Sequence, residues 1–409
     1  MTIRHRRWLL RPLALGVVLA SFWCGAQAQP APQAALRAEL ARPLAAAQEA
    51  LKNNQPAEAL ALARQARDVA GLTPAERVWV ERMVAVAALT ARQDDVALPA
   101  LEFLGSNASL PAAERASFLQ AQVDVATRLK DYPRLVRAAQ GYLAAGGTHP
   151  SVRLAMLQAL SLQGQHAAAA KAVEDLVAAG GAVPAPSERE LRVMAASYRQ
   201  LKDDAGYYRA LKQLVARFPT PDYWGDLLSR VRNLPDFNPR LELDVYRLLE
   251  EVGGLDEADD IAYMAGLALK AGLPAQALRV LDAGFASKVL GTGAEAASHQ
   301  RLRAEAARRA AEDDKGLPAL EKAEADPTAQ AELAEVLASR QQWARANAAY
   351  ARALAAGGNR REAELRLHHA ISLFKAGQVP QARAAFQAVQ GDPSAVELAS
   401  LWLLRVQER

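Results

Sequence analysis

The chain has 409 residues, enough for several small domains or one extended array. Hydrophobic residues make up 51% of it, but isoleucine occurs only at Ile3, Ile261 and Ile371. Alanine and leucine, strong helix formers, stand in for the β-branched residues that strands favour, so the composition excludes a β-rich fold. The 49 basic and 45 acidic residues become 45 of each once residues 1–28, with four arginines and no acid, are set aside; no basic face for nucleic acid is expected.

In chain order, Arg4, Arg6, Arg7 and Arg11 form a basic head, residues 13–23 a short apolar run, and Ala26-Gln27-Ala28 an A-x-A site. This reads as a secretory signal, residues 1–28, cleaved after Ala28, which places the mature protein in the periplasm. The apolar run falls short of the roughly 20 residues that a span requires, so no stable membrane span is expected after cleavage. His5 and Leu9 match a twin-arginine signal poorly. The sole cysteine, Cys24, lies in the leader behind Phe22 and Trp23, bulky rings where lipoprotein signals carry small residues. The mature chain then has no cysteine, which excludes disulfides and thiolate metal sites. Residues 29–33 read as a disordered lead-in.

A helical hairpin recurs from there. "ALKNNQPAEALALARQA" carries Asn54, Ala59 and Ala63, and "LSLQGQHAAAAKAVEDL" carries Gly164, Ala169 and Val173. "LALKAGLPAQALRVLDAG" carries Gly272, Ala277 and Leu281, and "ISLFKAGQVPQARAAFQAV" carries Gly377, Ala382 and Phe386. "QQWARANAAYARAL" offers Ala346 and Tyr350. In each, apolar helical spacing stops at a glycine or asparagine and resumes. The small residue lets two helices approach, and the larger one fills the space below. The alanines at 59, 169, 277, 346 and 382 lie near multiples of a period of about 36 residues. Weaker copies fill the intervals: "RQDDVALPALEFL", "LKDYPRLVRAAQGYL", "LKDDAGYYRALKQLV", "RLELDVYRLLEEV" and "DDKGLPALEKAEA". Ten hairpins over residues 29–392 are expected, with residues 393–409 as a capping helix that has no partner helix. Loss of that cap should fray the C-terminal repeats first. Capping boxes are expected at Thr73, Ser187, Thr292 and Ser394, and Thr220 and Asp326 should cap helices that open with proline. The period and pairing are the tetratricopeptide signature, and predict an all-α, right-handed solenoid.

From about Tyr223 on, "DYWGDLLSRVRNLPDFNPRLELDVYRL", "AYMAGLALKAGLPAQALRVLDAGFASKVLGTGAEA" and "RALAAGGNRREAELRLHHAISLFKAGQVPQARAAFQAVQGD" resemble exported tetratricopeptide-repeat proteins of proteobacteria. More distantly they resemble the periplasmic tetratricopeptide component of TonB energy-transducing systems. The resemblance covers roughly the C-terminal half. It implies a solenoid that binds a protein or peptide partner in the envelope, with no catalytic residues to carry over. Such relatives often have glycine where this chain has His368.

No P-loop, zinc-protease helix or G-x-S-x-G elbow occurs, and no cofactor is expected. "GTGAEA" at Gly291 fits the letters of a dinucleotide loop, which works only between a strand and a helix; a glycine turn with a helix cap is the expected reading. His368 and His369 are helix neighbours about 100° apart and make a poor metal chelate, with His369 at a packing position. The acidic run at residues 256–260 suits a helix start. In tetratricopeptide proteins the first helix of each hairpin lines a concave groove. That frame nominates Arg192, Arg199, Leu269, Lys270, Glu335, Leu367, Ile371, Phe374 and Lys375, together with Gly266, as groove residues for a peptide with acidic and apolar side chains. The leading expectation is a non-enzymatic envelope scaffold; the alternative is an assembly factor for an outer-membrane or polysaccharide-export machine. The oligomeric state is not written in the sequence.

Overall fold

The computed structural model describes residues 36–182, 184–322 and 326–408. The expected leader, with Cys24 and its cleavage site, and the lead-in 29–33 lie outside them. Among the described residues every long element is an α-helix and none is a strand. The chain divides into two compact units, Met1–Gly147 and Thr148–Arg409.

Unit 1 holds three hairpins: α1 (Ala38–Lys52) with α2 (Pro56–Arg67), α3 (Pro74–Thr90) with α4 (Asp94–Ser106), and α5 (Ala112–Leu129) with α6 (Tyr132–Ala144). Unit 2 opens with α7 (Pro150–Leu162) and α8 (His166–Ala179), then α9 (Glu188–Leu201) and α10 (Asp204–Arg217). Next come α11 (Pro221–Val231) and α12 (Glu242–Glu251), joined through a 3-10 turn at Pro239–Leu241, and α13 (Ala258–Lys270) with α14 (Pro274–Ala286). The long α15 (Ala296–Lys322) follows, then α16 (Pro327–Ser339) with α17 (Trp343–Ala356), α18 (Glu362–Lys375) with α19 (Val379–Gln387), and α20 (Pro393–Gln407). No described helix is long and apolar enough to cross a membrane.

One turn builds most of these hairpins. Its centre is a left-handed residue: Asn54, Arg92, Lys130, Gly164, Lys202, Gly272, Gln341 or Gly377. The next N–H reaches back to the carbonyl five residues earlier, as in Gln55 to Ala50 at 2.8 Å, Gln93 to Ala88 at 2.9 Å and Gln378 to Leu373 at 3.0 Å. This double-bonded helix stop satisfies the last carbonyls of the first helix and aims the chain back along it. The residue five places after each left-handed centre is buried: Ala59, Ala97, Leu135, Ala169, Tyr207, Ala277, Ala346 and Ala382. So is the residue nine places after: Ala63, Leu101, Ala139, Val173, Leu211, Leu281, Tyr350 and Phe386. The spacing from Gly377 to Ala382 and Phe386 therefore marks a turn centre followed by two successive core positions of the returning helix. Glycine is not required at the centre, and four of the eight are Arg, Lys or Gln.

The caps follow the sequence at four places. Thr73 and Ser187 form complete capping boxes with Glu76 and Glu190. Thr220 accepts the Tyr223 N–H, and Asp326 that of Thr328. Two expected boxes are corrected. Thr292 lies between Gly291 and Gly293, both left-handed, and that backbone cannot run into a helix; α15 starts only at Ala296. Ser394 sits inside α20, because Asp392 already caps it by accepting the Ala395 N–H at 2.9 Å. The Ser394 hydroxyl instead accepts the Asn238 N–H at 2.8 Å.

The eighth expected hairpin is also corrected. "DDKGLP" does not turn; α15 runs unbroken for 27 residues through Gly316 and Pro318. Proline removes one helical hydrogen bond, but both halves of α15 are held from outside. Its first half buries His299 and Ala306 and pairs Arg303 with Asp282 of α14 at 2.5 Å. In its second half Asp314 takes Arg340 at 2.9 Å, Glu321 takes Arg345, and Leu317 and Leu320 pack on the α16–α17 core. The described residues thus hold nine hairpins, a lone α15 and α20.

The most buried short helix of unit 2's middle is α12. Six of its ten residues are buried: Leu243, Asp244, Val245, Tyr246, Leu248 and Leu249. A helix buried on so many sides is a core helix rather than one rung of an open stack. Nor is α20 an unpartnered cap. Its fully buried Trp402 meets Phe374 edge-on at 5.5 Å and stacks on Phe386 at 5.8 Å. It also reaches far back along the chain. Glu397 accepts from Tyr208 at 2.7 Å and Lys212 at 2.8 Å, Trp224 Nε1 donates to Glu408 at 3.2 Å, and Asn238 Nδ2 donates to Asp392 at 3.0 Å. The last helix therefore closes unit 2 onto α10, α11 and the turn before α12.

Candidate functional site

A group of paired charges surrounds α12. His368, on α18, lies between two carboxylates. Its Nδ1 donates to Glu335 Oε1 of α16 at 2.6 Å, and its Nε2 to Asp244 Oδ2 of α12 at 3.1 Å. Burial alone would push this imidazole down, but the charges of Asp244 and Glu335 outweigh it and raise the ring to about 10. Burial likewise pushes Asp244 up, and His368⁺ with Arg247 overcomes it, holding the carboxyl at about 2. Glu335 is lowered in the same way against its burial, with Tyr350 donating to it at 2.9 Å. Arg247 donates to Asp244 at 2.8 Å and to Gln276 of α14 at 2.8 Å. One turn on, Glu251 accepts Lys375 of α18 at 2.5 Å and Arg405 of α20 at 3.2 Å. His369 behaves oppositely to its neighbour: burial lowers it, and it packs on the Tyr350 ring at 5.7 Å.

This network ties α12 to α14, α16, α18 and α20. The cleft beside it measures about 70 Å³ and is lined in part by Arg247, Gln276, Ser372 and Lys375. That admits waters, whereas drug-sized ligands use about 300 to 1,000 Å³. Among the described residues no group of three or more His, Asp or Glu is placed to hold a metal.

The nominated groove residues divide sharply. Glu335, Ile371 and Lys375 converge on this cleft, as the repeat frame requires, but the chain's own α12 supplies its far side. Leu367 and Phe374 are fully buried, with Phe374 against Trp402, so neither presents a surface to a partner; their nomination as groove residues is corrected. Ile371 is 7% exposed. Leu269 is half-buried against the core, and Lys270, Gly266, Arg192 and Arg199 are exposed on α13 and α9, outside the cleft.

The register still locates an inner face. Nine, six and two residues before the turn centre Gly377 stand His368, Ile371 and Lys375, all lining one cleft. Counting back in the same way from Arg92 gives Met83, Val86 and Thr90 on α3, with Trp79 one turn earlier. Trp79 is 46% exposed, and Met83 and Val86 are half-buried. Arg82 lies over the Trp79 ring at 5.4 Å and pairs with Glu114 of α5 at 2.5 Å. Sequence reasoning missed this stripe because Arg92 disguised the turn that sets its phase. It missed Asp244 and Arg247 because nothing local ties them to His368, 124 positions away in the case of Asp244.

No family model matches the chain, and no curated protein matches it. Among solved structures it is similar to the Naa15/Naa10 complex bound to HypK-THB, at 13% identity over 90% of this chain and 67% of that one, with a TM-score of 0.28. It is similar to the P58(IPK) TPR domain at 12% identity over 91% and 99% of the two chains, TM-score 0.24. Yeast Tom70 gives 10% identity over 90% and 96%, TM-score 0.23. At such scores these likenesses add nothing to what the helices themselves show.

Proposed function

We propose that this chain is an exported, tetratricopeptide-like scaffold of the cell envelope, without catalytic activity, that binds a protein or peptide partner. The observation that carries the reading is the repeated turn. It fixes the phase of the helix that precedes it, so that Trp79, Met83 and Val86 fall on one face of α3. An exposed tryptophan backed by half-buried apolar neighbours is the composition of an interface centre. Because α12 fills the inner side of the C-terminal hairpins, the partner face of this scaffold is assigned to unit 1. A photo-crosslinking amino acid in place of Trp79 should give a discrete protein adduct in the native envelope, and the same residue in place of exposed Arg217 should not. Equal labelling from both positions, or none from either, defeats the reading.

The sequence resemblance supports a place beside TonB-type energy transduction, and the alternative role is assembly of an outer-membrane or polysaccharide-export machine. TonB or ExbB-type genes beside this one favour the first, export genes the second. Export itself has a direct check. N-terminal sequencing of envelope material should begin at Gln29, as pyroglutamate where it has cyclised; full-length chain confined to the cytosol counts against it.

A further inference from the structure

Unit 1 carries a cleft whose lining includes no residue of the α3 stripe. It lies between α4, α5 and α6 and measures about 440 Å³, within the range of ligand sites. Its walls are kept low by small residues such as Gly141 and Ala144. Gly141 faces Leu119, whose side chain would lie 3.3 Å from an added Cβ.

Three polar groups line this cleft without a full complement of partners. Gln122 is only 5% exposed, yet its amide makes no hydrogen bond to any described residue. Its amide is not among the fully buried unpaired groups, so it stays accessible from the cleft. Arg137 is exposed and has no carboxylate partner among the described residues. Arg115 has none either; one of its nitrogens donates to the Leu110 carbonyl at 2.9 Å. Elsewhere in unit 1, Arg37, Arg67, Arg82, Arg128 and Arg134 are each paired with an acid, Arg64 bonds Gln93 and Arg77 lies over the Phe103 ring, while Arg42 and Arg92 also have no ion pair among the described residues. The one acid in the cleft, Glu102, is already taken by Arg134 at 3.2 Å. Two guanidiniums without a carboxylate partner therefore line a cleft together with the Gln122 amide.

We propose that the cleft between α4, α5 and α6 binds an acidic peptide segment of the partner, with Arg115 and Arg137 taking its carboxylates and Gln122 a backbone amide. The proposal rests on the scaffold reading and names the chemistry of its partner. Guanidinium suits carboxylate because its planar donors match two oxygens. Gln122 supplies a donor and an acceptor, which is what a peptide group offers in return.

The test uses the full mature chain and fluorescence anisotropy with fluorescein-labelled hexaglutamate and hexalysine at low salt. Hexaglutamate should bind saturably and hexalysine should not. Arg137→Glu should weaken hexaglutamate by about tenfold or more, as loss of a charged hydrogen bond does. Ala144→Trp, which fills the cleft from an exposed position, should do the same, with circular dichroism confirming retained helix. Arg42→Glu, on α1, should bind as wild type. Hexaglutamate binding no tighter than hexalysine, or unchanged in Arg137→Glu, overturns the proposal. If the Trp79 crosslink still captures a partner in that case, the scaffold reading stands and only the cleft assignment falls; loss of the crosslink with intact peptide binding has the opposite meaning.

Discussion

His368→Ala is expected to destabilise unit 2 by about 3 to 5 kcal/mol, the effect of removing one partner from a buried ion pair. The ring holds two carboxylates from α12 and α16 within hydrogen-bonding distance. Without it Asp244 keeps Arg247 and Glu335 keeps Tyr350, but the remaining negative charge is uncompensated in the core. The pH dependence gives a sharper signature. His368 is raised in the fold from its ordinary 6.5 to about 10. Its contribution is therefore complete below about 6.5 and is lost as pH rises through 10. Asp244 is lowered to about 2, so its contribution is complete above its ordinary value of about 3.9 and is lost as pH falls towards 2. The gap between wild type and His368→Ala in urea titrations should be widest between about pH 4 and 6.5, and should narrow steadily towards pH 10. A gap under about 1 kcal/mol, or one that stays level from pH 6 to 10, would mean that the imidazole is not the buried cation described.

Deleting α20 from Pro393 onward should unfold unit 2 broadly rather than fray its last hairpin. The sequence alone suggests a local effect, since an end cap touches only the repeat before it. In the structure the deletion uncovers Phe374 and Phe386, removes the Trp224 hydrogen bond and leaves Lys212 without Glu397. Hydrogen exchange should show protection lost from α10 to α12 together with α18 and α19, while α1 to α6 keep theirs. Trp402→Ala tests the same closure more gently, at an expected cost of about 3 to 5 kcal/mol. Loss confined to α18 and α19 would return α20 to the role of an end cap.

The elements themselves were legible because their signals are local. A turn centre, a small residue five places on and a larger one nine places on all lie within one hairpin, and Asn54, Gly164, Gly272 and Gly377 announced it directly. The misread places are those where a distant group decides. Pro318 reads as a break until Arg340 and Arg345 are seen holding the helix from outside. Phe374 reads as a groove aromatic until Trp402 is brought against it. His368 stood out in the sequence as an oddity, but a helical period says which side a residue is on and nothing about what it meets there. Its partners come from α12 and α16. Trp79, Arg115, Gln122 and Arg137 left no motif; the last three matter for the cleft they share, which only a structure displays.

The closure of unit 2 also bears on when the protein can finish folding. Unit 1 is assembled almost wholly from helices adjacent in sequence, each able to settle as soon as its neighbour exists. Unit 2 instead depends on pairings such as Glu397 with Tyr208, 189 positions apart. Contacts of such long range raise the entropic barrier to folding and slow it. The helix that makes them is synthesised after every other helix of unit 2. Until it arrives, the buried rings of Phe374 and Phe386 lack their aromatic neighbour, leaving apolar surface open to misassociation. The two halves of this chain therefore mature on different clocks, and the interval between them is when the protein most needs protection.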